Sequence, residues 1–140
     1  MSDRASAPVD VDALMAEARS ARGRAYAPYS RFSVGAAVAT DAGVFSGANV
    51  ENASYGLSIC AERVAAASAI AAGARRIQAI VITSSAARVT PPCGACRQFL
   101  YEFNPRMTVV SEGMNGERKE WRLSELLVDG FGPSDLPGQP

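Results

Sequence analysis

Three cysteines and one glutamate carry most of the chemistry this chain can perform. They fall in two short runs, Cys60-Ala61-Glu62 and Pro92-Cys93-Gly94-Ala95-Cys96. The chain of 140 residues has three cysteines and no histidine. An odd cysteine count argues against a disulfide scaffold and for metal ligation or catalysis. The lack of histidine removes Ser-His and Cys-His nucleophile pairs together with imidazole metal ligands. A metal site here has to be built from thiolate and carboxylate.

Both runs fall where helices are expected to begin. The first turn of a helix leaves N–H groups unpaired and carries partial positive charge. Thiols there lose their protons more easily, which favours metal binding. Cys93 and Cys96 are three residues apart, so one helical turn brings two sulfurs to one ion, and Cys60 arrives from elsewhere as the third. Three protein ligands leave a tetrahedral position open for water, the catalytic pattern, whereas structural zinc normally takes four. Tri-thiolate ligation favours zinc. Glu62 can then set a carboxylate beside the water without joining the metal. Zinc lowers the pKa of such a water from 15.7 to about 7 in favourable sites. Three thiolates work against this, and the helix N-termini with Arg63 or Arg97 are the candidates to offset them. A carboxylate so placed takes the water's proton and delivers protons to a ring nitrogen and a leaving ammonia, as hydrolysis at an amidine-like carbon requires. The combined pattern Cys-x-Glu…Pro-Cys-x-x-Cys is the three-cysteine form of the zinc deaminase signature. A redox reading of Cys93 and Cys96 leaves Cys60 and Glu62 unexplained.

These residues need elements to position them. Asp10 is expected to cap a helix running to about Ala25, with Leu14, Ala18, Ala21 and Ala25 near one face. Val34 to Ala39 and Val44 to Ala48 read as a hairpin across Asp41-Ala42-Gly43. An Ala-rich helix is expected from about Ile59 to Ala72, stopped by Gly73. Ile77 to Thr83 reads as a central strand covered on both faces. A helix from about Gly94 to Glu102 follows, then strands at Thr108 to Ser111 and Glu120 to Leu123 and a short helix at Ser124 to Val128. Helices alternating with strands around a buried strand predict an α/β fold, a mixed five-stranded sheet sandwiched between helices. Residues 1–140 are expected to form one domain, with termini 1–9 and 133–140 loose. Tyr26 and Tyr29 read as packing residues.

Composition narrows the partners. Hydrophobic residues are 48%, charged residues 20%, and 14 basic residues balance 14 acidic ones. Nucleic-acid binders draw non-specific affinity from a basic surface, so a polymer substrate is disfavoured. No apolar stretch reaches the roughly 18 residues of a membrane span. Met1 to Asp10 lacks a charged-then-apolar leader, so the expected location is the cytoplasm.

The chain resembles the cytidine deaminase family in its small, three-cysteine form. The resemblance runs from about Arg24 to Leu136. It is carried by Ala25-Tyr26-Ala27-Pro28-Tyr29-Ser30, Phe32-Ser33-Val34-Gly35-Ala36-Ala37, Gly47 through Gly56, Cys60-Ala61-Glu62-Arg63 and Pro92 through Gln98. It implies an α/β/α sandwich, one zinc ion per subunit held by Cys60, Cys93 and Cys96, and Glu62 as general acid and base. It further implies that Asn49 and Glu51 bind the sugar hydroxyls, that Phe32 lies beside the pyrimidine, that Ala61 also binds substrate, and that Arg63 bonds the ligand sulfurs. The substrates implied are free cytidine and deoxycytidine, in pyrimidine salvage. The assembly implied is a homotetramer with shared active sites, to which Phe131 is contributed by a neighbouring subunit. On the residues alone, Asn49 and Glu51 read as turn-forming loop residues. Ala48 stands where many members carry a further cysteine, and Val128 where a proline often follows the paired leucines.

Overall fold

The carboxylate of Asp10 accepts the N–H of Ala13 at 3.1 Å and begins α1 (Val11–Arg22) in the computed structural model, which describes residues 8–138. The cap satisfies a first-turn donor that has no partner inside the helix. The helix stops three residues short of Ala25. Arg24 N–H and Ala25 N–H close tight turns onto Ala21 and Arg22, and Tyr26 then bridges in parallel to Val50. That extended pairing excludes further helix.

β1 (Val34–Thr40) and β2 (Gly43–Ala48) form the hairpin, with Thr40 opposite Gly43. Gly43 has φ of 113°, a conformation a β-carbon opposes. β3 (Ile77–Ser84) pairs antiparallel with β1. β4 (Thr108–Glu112) lies parallel to β3, and β5 (Arg118–Arg122) antiparallel to β4. The sheet is mixed and five-stranded, in the order β2-β1-β3-β4-β5. β5 lies earlier than its expected position. Leu123 instead opens α4 (Leu123–Leu126), because the Glu125 carboxylate takes the Arg122 N–H at 2.7 Å.

The two faces of the sheet separate by the period of two that a pleated strand imposes. Ala37, Ala79, Val81 and Val110 pack against Leu14, Met15 and Ala18 of α1. Val38, Ile80, Ile82 and Val109 share the other core with Ala65, Ala66 and Ala69 of α2 (Ala61–Ala71) and Leu100 of α3 (Gly94–Tyr101). The result is the expected α/β/α sandwich with β3 covered on both faces.

Two glycines set the height of the helices. A β-carbon on Gly35 would lie 2.0 Å from the Ala18 carbonyl oxygen, and one on Gly47 would lie 2.5 Å from the Ala65 nitrogen. α1 and α2 therefore sit on bare backbone, one on each side of the hairpin.

Of the termini expected to be loose, residues 1–7 and 139–140 lie outside the described residues. Val9 packs against the α1 core, and Pro133–Asp135 forms a 3-10 turn whose entry is fixed by Gly132 N–H to the Asp135 carboxylate at 2.8 Å. These described parts are seated because each has a partner that composition does not reveal. Among the described residues, no helix is long and apolar enough to cross a membrane.

Candidate active site

Three stretches of extended backbone deliver the site. Tyr26 N–H bonds to Asn49 O at 2.9 Å and Glu51 N–H to Tyr26 O at 2.8 Å. On its other side Val50 exchanges both main-chain bonds with Ile59, each at 2.9 Å. The segment Asn49-Val50-Glu51 is thus a short strand pinned from two sides. The pairing keeps Ile59 out of the helix that the sequence predicts from that residue. It makes Cys60 the N-cap of α2, while Cys93 is the N-cap of α3.

The three sulfur atoms lie within 4.8 Å of one another. Cys60 Sγ is 3.7 Å from Cys93 Sγ, and Cys93 Sγ is 3.5 Å from Cys96 Sγ. Zinc–sulfur bonds of about 2.3 Å in tetrahedral geometry put sulfurs about 3.8 Å apart. The spacing and softness of the donors therefore fit a thiolate-bound ion such as zinc. Hydrogen bonding from Cys96 draws the Cys60 thiol down to about 5 against the effect of burial, with help from Arg63. The same bond pushes the Cys96 thiol upward, as does burial. One sulfur of the pair thus gives up its proton first. Arg63 Nη2 reaches Cys60 Sγ at 3.5 Å. Arg97 does not serve the sulfurs as the sequence allowed. Its Nε donates to Pro92 O and its Nη1 to Leu126 O, both at 2.8 Å, so it braces the backbone before Cys93.

Glu62 stands in the first turn of α2 and is 5% exposed. Burial raises its carboxyl to about 7, opposed by its own backbone N–H, while the neighbouring Cys60 charge adds to the rise. Glu62, Cys60 and Cys93 line one cavity of about 220 Å³ with Phe32, Asn49 and Glu51, and Ala61 completes its floor. A group that holds or releases a proton near neutrality thus shares a cavity with two of the three clustered thiols, Cys60 and Cys93.

The two polar residues opposite are fixed by backbone partners. Asn49 Oδ1 accepts Val34 N–H at 2.9 Å and its Nδ2 donates to Phe32 O at 2.8 Å, leaving one N–H and one lone pair. Glu51 accepts Tyr29 N–H at 2.9 Å, Ser30 N–H at 3.1 Å and the Ser30 hydroxyl. The Ser30 hydroxyl, outweighing what burial does, holds the Glu51 carboxyl below its usual range. Arg31, next to Phe32, has φ of 62°, so the loop carrying Phe32 turns through a left-handed residue.

The structure brings together nine of the ten residues that the resemblance places at the site, Arg63 through its contact with Cys60 and Cys96 through its contact with Cys93. Phe131 is the exception. It does not line the cavity of its own chain, and it is 57% exposed. Gln98 Nε2 holds its carbonyl at 2.9 Å, and the glycines beside it lie against the ring of Tyr101. Tyr26 and Tyr29, read as packing residues, are 55% and 48% exposed. Sequence reading missed Val34, Ser58, Ile59, Thr90 and Pro91, which also line the cavity. Pro91 adjoins the Pro-Cys motif and was open to suspicion. The others depend on loop-to-strand pairing that leaves no local mark.

The sequence and the sandwich that carries the site are matched in known proteins. The family model "Cytidine and deoxycytidylate deaminase zinc-binding region" matches residues 9–117. The chain belongs to the cytidine and deoxycytidylate deaminase family. It is 47% identical to the cytidine deaminase of Halalkalibacterium halodurans over 130 residues, covering 91% of this chain and 98% of that one. The crystal structure of cytidine deaminase from Burkholderia pseudomallei superposes with a TM-score of 0.84 at 47% identity, over 88% of this chain and all of the other. That of cytidine deaminase from Mycobacterium tuberculosis gives 0.76 at 40% identity, over 89% of this chain and 98% of the other.

Proposed function

We propose that this chain, as one domain, hydrolyses free cytidine and deoxycytidine to uridine and deoxyuridine with release of ammonia, using one zinc ion held by Cys60, Cys93 and Cys96. The observation that carries the reading is the buried Glu62 carboxyl in the same cavity as the Cys60 and Cys93 thiols. When bound, zinc supplies a water molecule acid enough to attack carbon near neutral pH. Glu62 takes the proton lost in that attack, returns it to the pyrimidine ring nitrogen, and passes the next to the departing amine. Arg63, bonded to Cys60 Sγ, withdraws negative charge from the triad. Helix N-termini at Cys60 and Cys93 act in the same direction.

Asn49 and Glu51 retain hydrogen-bonding capacity for sugar hydroxyls after their backbone bonds are made. No lysine or arginine is among the residues lining the cavity, which include two carboxyl groups, Glu51 and Glu62. That lining favours an uncharged nucleoside over a nucleotide or a polymer. Phe32 and Ala61 bound the space for the base. The exposure of Phe131, with its backbone clamped to α3, supports a homotetramer in which this ring completes a neighbour's site. The assignment belongs to pyrimidine salvage in the cytoplasm, where the thiols stay reduced.

The test is the fall in ultraviolet absorbance when purified protein meets cytidine, with and without a zinc chelator. Rapid conversion to uridine, lost on chelation and restored by zinc, is the expected outcome. Zinc-loaded protein that leaves cytidine and deoxycytidine untouched overturns the reading.

A further inference from the structure

The run Thr90-Pro91-Pro92 leads straight into Cys93, and its two prolines leave it a single backbone N–H. Such a segment has little to offer a helix or a strand ladder. Side chains hold it instead. Ser111 Oγ on β4 accepts Thr90 N–H at 3.1 Å and donates to Thr90 O at 2.8 Å. One hydroxyl thus clamps both main-chain polar groups of one residue. Ser84, at the end of β3, meets the Thr90 hydroxyl at 2.8 Å and accepts Ala86 N–H at 3.2 Å. Both serines are fully buried.

An aliphatic residue at either position would add to the core without the desolvation cost of a hydroxyl. The bonds these hydroxyls make go to the loop, not to the sheet, so the loop accounts for their presence. The following residue extends the tie to the opposite wall. Ser85 N–H bonds Ser33 O at 2.8 Å, and Ser33 N–H bonds Ser85 Oγ at 3.1 Å, one residue from Phe32. Thr90 and Phe32 both line the cavity, so its two walls are referenced to the ends of β3 and β4.

We infer that Ser111 and Ser84 are positioning residues, fixing Thr90 so that Cys93 is presented to the metal and the cavity keeps its width. The inference rests on Cys93 being a metal ligand. Ser111→Ala, compared with the unaltered protein, is expected to release zinc to a chelating dye about tenfold faster, the low end for removal of an outer support of a metal ligand. The KM for cytidine is expected to rise with it, and Ser111→Thr, which keeps the hydroxyl, to restore both. Thr40→Ala calibrates a general loss of stability. It removes a hydroxyl that makes two similar bonds in the hairpin turn, to Gly43 O and Ala42 N–H. If Ser111→Ala and Thr40→Ala release zinc at the same rate for the same loss of Tm, the inference is overturned. Ser84→Ala, read the same way, serves if Ser111→Ala does not fold. Faster zinc release in a protein that ignores cytidine supports the clamp while the substrate reading falls. Unaltered protein that binds no zinc overturns the ligand assignment and the clamp with it.

Discussion

At the scale of single residues, Glu62 and Glu51 are two carboxyls with opposite surroundings. Glu62, 5% exposed, is lifted by burial to about 7. A group poised there can both take and return a proton near neutral pH, which general acid-base catalysis rewards. Glu62→Gln keeps the shape but cannot take up and release a proton near neutral pH. Its kcat is expected to fall by about 10²–10⁴, with zinc per subunit by elemental analysis unchanged. Near-normal turnover would remove Glu62 from the proton transfers. Glu51 is held low by Ser30, and three of its roughly four lone-pair positions accept from Tyr29 and Ser30. One remains for a sugar hydroxyl. Because Glu51→Gln removes the charge that strengthens a hydrogen bond to the sugar, it is expected to raise KM for cytidine about tenfold while kcat changes little. A fall confined to kcat would contradict a role in binding the sugar.

At the scale of elements, the contrast between Gly35 and Gly47 separates stability from function. Both lie under helices, and an added β-carbon would meet backbone at 2.0 Å and 2.5 Å respectively. Overpacking of this kind costs about 1–3 kcal/mol, occasionally more. α1 carries none of the cavity residues, whereas α2 is preceded by its N-cap Cys60 and holds Ala61 and Glu62 in its first turn. Gly35→Ala is therefore expected to lower Tm yet keep turnover per folded, zinc-loaded site. Gly47→Ala is expected to lower both, because lifting α2 moves its first turn. Equal turnover in the two variants would show that α2 seating does not govern the site. The elements themselves were largely legible in the sequence, since Asp10, Gly43 and Gly73 punctuate them by local chemistry and the strands alternate or run apolar. Cysteine spacing made the triad legible for the same reason. The start of α2 was not, because the Val50–Ile59 pairing that keeps Ile59 extended is set by residues nine apart in the chain. Asn49 and Glu51 were visible only through resemblance, and Thr90 not at all. Its partners Ser84 and Ser111 stand on two different strands, and nothing near Thr90 in the chain announces them.

At the scale of the whole molecule, one carboxylate joins the α1 layer to the far half of the sheet. Glu112 on β4 accepts Arg19 Nε at 2.9 Å and Nη2 at 2.8 Å from α1, and Arg118 Nε at 3.0 Å from β5. Arg118 also reaches Asp12 at 2.8 Å. Burial alone would raise the Glu112 carboxyl, but the hydrogen bonds from Arg19 and Arg118 outweigh it and hold the group below its ordinary 4.5. A folded value below the unfolded one means that the unfolded chain binds the proton more readily. The network's contribution is then fully present above about pH 4.5 and is lost as pH falls through the lower folded value. Glu112→Gln retains the shape without the charge, so it is expected to have a lower Tm than the unaltered protein at pH 7. That difference should persist down to about pH 5 and shrink progressively as the pH falls further below 4.5. Glu112 lies outside the cysteine cluster, so any metal released in acid would be lost from both proteins alike and the difference between their Tm values isolates Glu112. A Tm difference that stays constant across the acid range would mean that Glu112 acts through packing and not through its charge.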